Sequence, residues 1–447
     1  VARLRIAHLR LLIPFVVIAW RAGLPIGDNS FLWHVRAGTE QLELGRVLTS
    51  DPFSFTAAGS SWRTQSWLAE LGYGWLEQVT GGIEWVLVMK LVLMATTVAL
   101  LGIVIYRVVG GRLGLTFAGL LFTVWEATPF GVARPALIGY LLLALVVAFV
   151  FMERRPLWLL PPLFWLWAAI HGTFPVGLGL VLLDAIRRRS QRQAWAAVVA
   201  GAATALTAHG IGAWGTVLQF FRSRGALALI SEWQPPDFTN LFLLPLALLI
   251  VGLLAAATVG RLNRADLWIV VPFVLFGLLA ERNVWPAFIV LVPFGVAALP
   301  QRSGGRAKAS ESAIANWGIA AVLVAVGVVG IAHPVELRDD RFPSDAAMAA
   351  LEPGPLFHGS AVGGYLIYED WPEHSVFIDD RAELYGADDF ERYHDIMSGV
   401  GVEEAVSEFG IHQVLANADW PLVPYLELLG WEYRYRDENF VVMSEPV

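Results

Sequence analysis

Residues 1–332 carry apolar residues in long runs separated by short polar loops; beyond residue 333 the apolar stretches become short and alternate with polar ones. A bilayer core takes about 20 apolar residues per helix, fewer where a segment is re-entrant or packed in protein. Runs at 9–26, 83–106, 112–129, 136–152, 157–170, 173–186, 194–212, 241–260, 266–281, 284–299 and 313–332 each predict a membrane span, about eleven in all. The pair 157–170 and 173–186 is short for a full crossing. The first run follows "VARLRIAHLR" and lacks a small-residue cleavage site, so it reads as a retained signal-anchor helix.

Between the first two runs, "FLWHVRAGTEQLELG" has apolar residues at helical spacing and predicts a helix lying along the membrane interface. "RVLTSDPFSFTAAGSSW" is a turn-rich link, and "SWLAELGYGWLEQVTGG" predicts a second interfacial helix closed by Gly81 and Gly82. In the tail, "PLFHG", "SVFID", "HQVLAN" and "NFVVMS" predict strands. "PSDAAMAALE", capped by Ser344, "VEEAVSEFG" and "PLVPYLELLG" predict helices. That alternation implies a small α/β domain, so the expected division is 1–332 and 333–447. No Gly-rich phosphate loop is present, and "VGGY" is too short to count as one.

Composition sharpens this picture. Hydrophobic residues make up 56% and charged residues 16%, with 19 Trp among 447 residues, which defines a polytopic α-helical membrane protein. With no Cys, disulfides, thiolate catalysis and cysteine-ligated metals are excluded. The net charge of -8 divides unevenly: residues 1–332 hold 25 Lys/Arg and 15 Asp/Glu, residues 333–447 hold 6 and 24. The acidic tail argues against nucleic acid as a partner and against docking on anionic lipid.

Lys and Arg in short loops set orientation. With a cytoplasmic N-terminus, the inside loops carry Arg107 and Arg112, "ERR" at 153–155, "RRRSQR" at 187–192, "RLNR" at 261–264 and "QRSGGRAK" at 301–308. The intervening loops are poor in Lys and Arg, and an odd number of spans places the tail outside. An integral plasma-membrane protein with an extracytoplasmic C-terminal domain is the expectation. Asp28, His34, Glu126, Arg134, His171, His209, Glu232, Glu281 and Arg282 then gather at outer helix ends. Ionisable groups at membrane depth are costly and usually face a cavity, so this one-sided set implies an outward-facing polar site. Taken singly, each is as readily an interfacial residue tying a loop down.

The stretches "GDNSFLWHVRAG", "LTSDPFSFTAAGSSW", "SWLAELGYGWLEQVTGG", "ARPALIGYLLLAL", "LFWLWAAIHGTFPVGLGL", "AHGIGAWG", "ISEWQPPDF", "ERNVWPAFIVLVP" and "VFIDDRAELYG" resemble the polytopic GT-C glycosyltransferases, which use polyprenyl-phosphate-linked sugars. The nearest likeness is to a branch of bacterial membrane proteins with the same layout. The resemblance implies a catalytic or acceptor-positioning carboxylate just beyond the first span, where Asp28 stands. Many relatives carry a second acid shortly afterwards and a His-Glu before the Trp of the second interfacial helix. This chain has Asn29-Ser30 and Gln65-Ser66 there, a departure that questions a two-carboxylate or metal-dependent mechanism.

Sugar transfer from a lipid phosphate to a hydroxyl needs a base near the acceptor oxygen and cations around the leaving phosphate. Asp28 fits the first role; Arg134 and Arg282, with Arg21 or Arg36, fit the second, because guanidinium forks match phosphate oxygens. Trp33, Trp62 and Trp233 are candidates for stacking on sugars, and Glu232, His34 and His171 for further substrate contacts. Asp379, Asp380 and Arg381, after an apolar strand, are candidates for sugar hydroxyls or a divalent ion. Each has a plainer reading. Asp28 would cap the helix that begins at Asn29, His34 would be structural, the tryptophans would be interface anchors, and Asp379–Arg381 would be a solvated turn with an internal ion pair.

The function expected is an inverting, general-base transfer of a sugar from a polyprenyl-phosphate donor to an extracytoplasmic glycan, lipid or protein. No metal ligand set is evident, a divalent ion stays open, and no other cofactor is required. A non-catalytic GT-C-like subunit of a membrane assembly is the alternative. A transporter is the weaker one, since no inverted repeat is evident and most spans lack deep charges.

Overall fold

The computed structural model describes residues 5–215, 231–300 and 312–446, so the basic loop at 301–308 lies outside the described residues. They fall into two compact units: 5–24, 84–210, 231–300 and 312–335 in the first, and 25–83, 211–215 and 336–446 in the second. The first outer loop therefore folds with the tail, although some 250 residues of sequence separate them.

The first unit is helical, and every predicted run contains a helix: Ile13–Ala22, Trp85–Val108, Leu113–Ala127, Ala136–Val150, Leu160–Ile170, Phe174–Arg188, Gln191–Ala203, Leu244–Thr258, Leu267–Leu279, Val284–Ala297 and Ala313–Ile331. Trp85–Val108, Leu113–Phe130 and Ala313–Ile331 are long and apolar enough to cross a membrane by length and composition; Ala136–Val150, Leu157–Ile170 and Leu244–Thr258 are shorter apolar helices. Val284–Ala297 is the innermost element: Val284 to Phe294 are all buried, against the 85–108, 113–127, 136–150, 244–258 and 267–279 helices. A helix apolar on every side is what such a position demands. Arginines read from the sequence as orientation signals also hold this unit together. Asp184, fully buried, pairs with Arg155 and, at 2.6 Å, with Arg187, while Gln193 Nε2 donates to it at 2.8 Å. Arg187 reaches on to Asp266 at 2.8 Å.

In the second unit the two predicted loop helices form, at Asn29–Leu44 and Trp67–Thr80. They cross at glycines. A Cβ on Gly38 would lie 1.8 Å from the Glu70 carbonyl oxygen, and one on Gly74 2.3 Å from the Thr39 nitrogen. The 29–44 helix is not laid open along a lipid surface: from Asn29 to Gln41 nearly every residue is buried by protein. The 67–80 helix keeps an apolar outer face, with Trp75 and Val79 exposed.

The tail builds a four-stranded sheet in the order β1-β2-β4-β3, from Leu356–His358, Gln413–Asn417, Phe440–Ser444 and Glu432–Arg436 respectively. β1 and β2 are parallel, and the other pairs antiparallel. The helices Ser360–Glu369, Ala387–Met397, Val402–Phe409 and Leu422–Leu428 accompany it. Two expectations change here. "SVFID" joins no strand of the sheet, because its backbone pairs with the outer loop: Val376 N–H donates to Phe53 O at 3.0 Å and Phe55 N–H to Val376 O at 3.1 Å. "PSDAAMAALE" shrinks to one turn, Asp345–Met348, whose cap is Ser344 Oγ accepting from Ala347 N–H at 3.3 Å.

The crossing at Gly38 gives a direct test. Gly38→Ala drives a methyl into backbone and is expected to cost about 1–3 kcal/mol, the usual cost of overpacking. At Gly72, one face round the same pair of helices, a Cβ meets nothing within 4 Å. Thermal unfolding in detergent should show Gly38→Ala lowering the midpoint while Gly72→Ala leaves it level or raises it.

Candidate functional site

Four of the residues singled out from the sequence meet in the first unit. Arg134 precedes Pro135, the N-cap of the 136–150 helix. Arg282 lies in the single 3-10 turn Glu281–Asn283 that leads into the central 284–297 helix, and Glu232 and Trp233 lie in the turn Ser231–Trp233. The two turns are tied by Glu281 N–H donating to Gln234 O at 2.8 Å. Arg134 Nη1 lies 3.5 Å from Glu232 Oε2, and Arg282 Nη1 3.3 Å from Glu232 Oε1. The Arg282 guanidinium sits 4.2 Å over the Trp233 ring. All three charged side chains keep about a third of their surface exposed, at 34%, 30% and 40% for Arg134, Arg282 and Glu232. Two guanidinium edges thus address opposite oxygens of one anion, with an aromatic face alongside. The arrangement is a guanidinium clamp on the Glu232 carboxylate, open to solvent.

Other candidates in this unit have local duties. Arg21 Nη2 donates to Thr128 O at 3.0 Å. His171 Nδ1 lies 3.0 Å from the Thr173 hydroxyl, which also receives Trp167 Nε1–H at 3.1 Å.

Asp28 occupies the N-cap position of the 29–44 helix, yet its side chain makes no capping hydrogen bond. The cap reading is therefore not realised. Half-buried, Asp28 lies close enough to Tyr73 that burial, then the Asp28 and Glu70 carboxylates, push the Tyr73 phenol far up. The next residues are held by the tail. Asn29 Nδ2 donates to Ser360 O at 3.2 Å and its Oδ1 accepts from Tyr365 N–H at 3.1 Å. Ser30 Oγ and, at 2.8 Å, Trp33 Nε1 donate to the two oxygens of Asp380. The 360–369 helix approaches this closely because "VGGY" puts glycines at the contact: a Cβ on Gly364 would lie 2.4 Å from Asn29 O.

His34 takes the structural part. Its Nδ1 is 2.9 Å from Oε1 of the fully buried Glu70, which also accepts from Gln41 Nε2 at 2.9 Å and from the Thr64 hydroxyl. Arg36 Nη2 pairs with Glu40 at 3.0 Å and its guanidinium covers Trp371 at 5.0 Å.

The solvated-turn expectation for Asp379–Arg381 is overturned. Arg381 is 0% exposed and carries an ion pair in the core of the unit. Its Nε and Nη2 meet Asp379 at 2.9 and 2.6 Å, and its Nη1 meets Asp51 at 2.6 Å. Burial alone would lower its pKa, but Asp379, with Tyr385 and Asp51, holds it well above the usual value. Its flat face lies 4.6 Å from the Trp62 ring. Trp62 is itself 1% exposed and donates Nε1–H to Glu383 at 3.2 Å, so it offers no face to a sugar. Asp379 and both oxygens of Asp380 are likewise spoken for. Among the described residues, no three His, Asp or Glu side chains are grouped to hold a metal ion.

Sequence reasoning missed Asp51 and Glu70. Asp51 looked like turn punctuation, and it does accept from Phe53 and Ser54 N–H at 3.1 and 3.0 Å; the partner 330 residues away left no local signal.

The fold is similar to that of solved oligosaccharyltransferase structures. The solved structures that carry this likeness are archaeal. The oligosaccharyltransferase AglB from Archaeoglobus fulgidus, in complex with an inhibitory peptide and a dolichol-phosphate, shares 12% identity, covers 92% of this chain and 69% of its own, and has a TM-score of 0.57. The Archaeoglobus fulgidus oligosaccharyltransferase tethered with an acceptor peptide containing the NVT sequon shares 11% identity, with 98% and 74% coverage and a TM-score of 0.55. At such identities the likeness is one of fold. No protein-family model and no curated protein matches the sequence.

Removing one partner of a buried pair strands the other charge. Arg381→Gln leaves Asp379 and Asp51 buried without a cation and is expected to cost about 3–5 kcal/mol. Proteolysis should then cut the 46–66 link and the tail together, as one cooperative unit.

Proposed function

We propose that the protein is a membrane glycosyltransferase that moves a sugar from a polyprenyl-phosphate donor to an extracytoplasmic acceptor with inversion. The observation that carries this reading is the convergence of Arg134 and Arg282 on one carboxylate beside Trp233. As the glycosidic bond breaks, negative charge grows on the leaving lipid phosphate, and two guanidinium groups aimed at one point stabilise it. The archaeal neighbour with a bound dolichol-phosphate supports a lipid phosphate as the ligand. Asp28, half-buried at the start of the 29–44 helix, takes the proton from the acceptor hydroxyl. In this reading the N-terminus is cytoplasmic, the chain crosses about eleven times, and the acidic tail lies outside, favouring a neutral or basic acceptor glycan, lipid or protein.

One observation favours a second reading, a non-catalytic subunit that keeps the fold. Asn29 and Ser30 stand where relatives carry a second acid, and both are engaged in holding the tail.

Two experiments test the first reading. Arg134→Lys with Arg282→Lys replaces two forks by point charges and should weaken binding of a polyprenyl phosphate roughly tenfold or more, with the melting temperature unchanged. Unaltered affinity in that double variant would discard the clamp as the phosphate site. Separately, Asp28→Asn should lower turnover by roughly 10²–10⁴-fold with folding intact. Transfer within a few-fold of the parent would instead make the base some other group, Glu232 first.

A further inference from the structure

The clamp has an unusual electrostatic composition for a lipid-phosphate site. Its two guanidinium groups bring two positive charges, and Glu232 lies between them at 3.3 and 3.5 Å. Two more carboxylates stand within electrostatic reach: Glu281 feels both Glu232 and Asp237. Hydrogen bonds from the Thr239 backbone and hydroxyl hold Asp237 below the usual carboxylate range, so it is ionised at neutral pH. The face of Arg282 rests on Trp233, which leaves that guanidinium only its edge for a ligand. Against Glu232 alone the two arginines leave an excess of one positive charge, and Asp237 and Glu281 lower the local potential further.

Resting on the reading of Arg134 and Arg282 as the donor-phosphate pair, we propose that Glu232 is a specificity-determining residue that selects a lipid donor with one phosphodiester over a lipid diphosphate. A phosphodiester carries a single negative charge, the smallest of the three ligands, and so suits a pair of arginines already half neutralised by Glu232. A terminal phosphate monoester carries about 1.5 to 2 charges at pH 7, and a diphosphate ester carries more. Each added negative charge meets Glu232, which lies against both guanidinium groups, and Glu281 and the solvated Asp237 add a weaker repulsion of the same sign. Specificity here comes from a repulsive element built beside an attractive one.

The test uses the full chain in detergent at low salt and three soluble probes: methyl farnesyl phosphate, a diester; farnesyl phosphate; and farnesyl diphosphate. Titration calorimetry should show the unaltered protein binding the diester at least as tightly as the diphosphate, against the usual trend of tighter binding with more charge. Glu232→Gln should tighten the diphosphate roughly tenfold more than the diester. Asp237→Asn, on a fully solvated loop, should shift preference the same way by less, and keeps the test open if Glu232→Gln misfolds. Tightest binding of the diphosphate to the unaltered protein would overturn the proposal. So would an equal gain for all three probes in Glu232→Gln, which would make Glu232 a place-holder that leaves when the ligand arrives. If Arg134→Lys with Arg282→Lys weakens none of the probes, the donor-phosphate reading falls, and the selection with it.

Discussion

The second unit depends on one buried guanidinium. Arg381 joins the tail to the first outer loop through Asp51 and fixes its own loop through Asp379, with Trp62, Phe53 and Trp33 around its face. A cation in that setting is tolerable only when every proton it carries finds an acceptor. All three guanidinium nitrogens of Arg381, held in a rigid fork, find a carboxylate oxygen; the ammonium of lysine would not reach both carboxylates in the same way. Around this centre the loop loses its independence. Asp51 orders its own turn, Trp62 packs on the arginine, and Asp380, next in the chain, collects Ser30 and Trp33 from the helix that follows Asp28.

That chain of contacts leads to the chemistry. Asp28 sits one residue before a helix whose start is gripped on three positions by the tail, so the backbone that carries its carboxylate is held from both loop and tail. The guanidinium clamp of the first unit is built differently, from single turns at helix starts. Arg134 and Arg282 each precede a helix, Pro135 ends one turn, and the backbone bond from Glu281 to Gln234 sets the third side. Residues at such junctions have backbones satisfied by the elements they introduce, and here their side chains turn to a shared carboxylate, Glu232.

Much of this was legible in the sequence. The apolar runs mark eleven helices among the described residues of the first unit, because a long unbroken run has one stable outcome when little water is present. Arg134, Glu232, Trp233 and Arg282 were singled out by type and by position at helix ends, which is where the structure has them. What stayed hidden is of two kinds. β3, "EYRYR", alternates charged and aromatic residues along an exposed edge, so no apolar face betrayed it. The 387–397 helix, "ADDFERYHDIM", buries Phe390, Tyr393 and Ile396 at a spacing of three, a weak stripe under many charges. Arg381 was misjudged for another reason. Asp-Asp-Arg looks like surface in any window of ten residues, and its true environment is supplied by Asp51 and Trp62, hundreds of positions away.

The discontinuity of the second unit has a consequence for how the protein is made. Residues 25–83 are synthesised before the partners that bury Asp51, Trp62 and the 29–44 helix, which reside in 336–446. Throughout the insertion of the intervening helices the loop exposes an apolar helix and an unpaired buried-type carboxylate, a state with high closure entropy still to be lost. The catalytic candidate Asp28 is therefore fixed in place only when the tail has docked. A chain interrupted between Arg282 and the 336–446 segment holds Arg134, Glu232 and Arg282 but lacks the partners that grip the helix after Asp28.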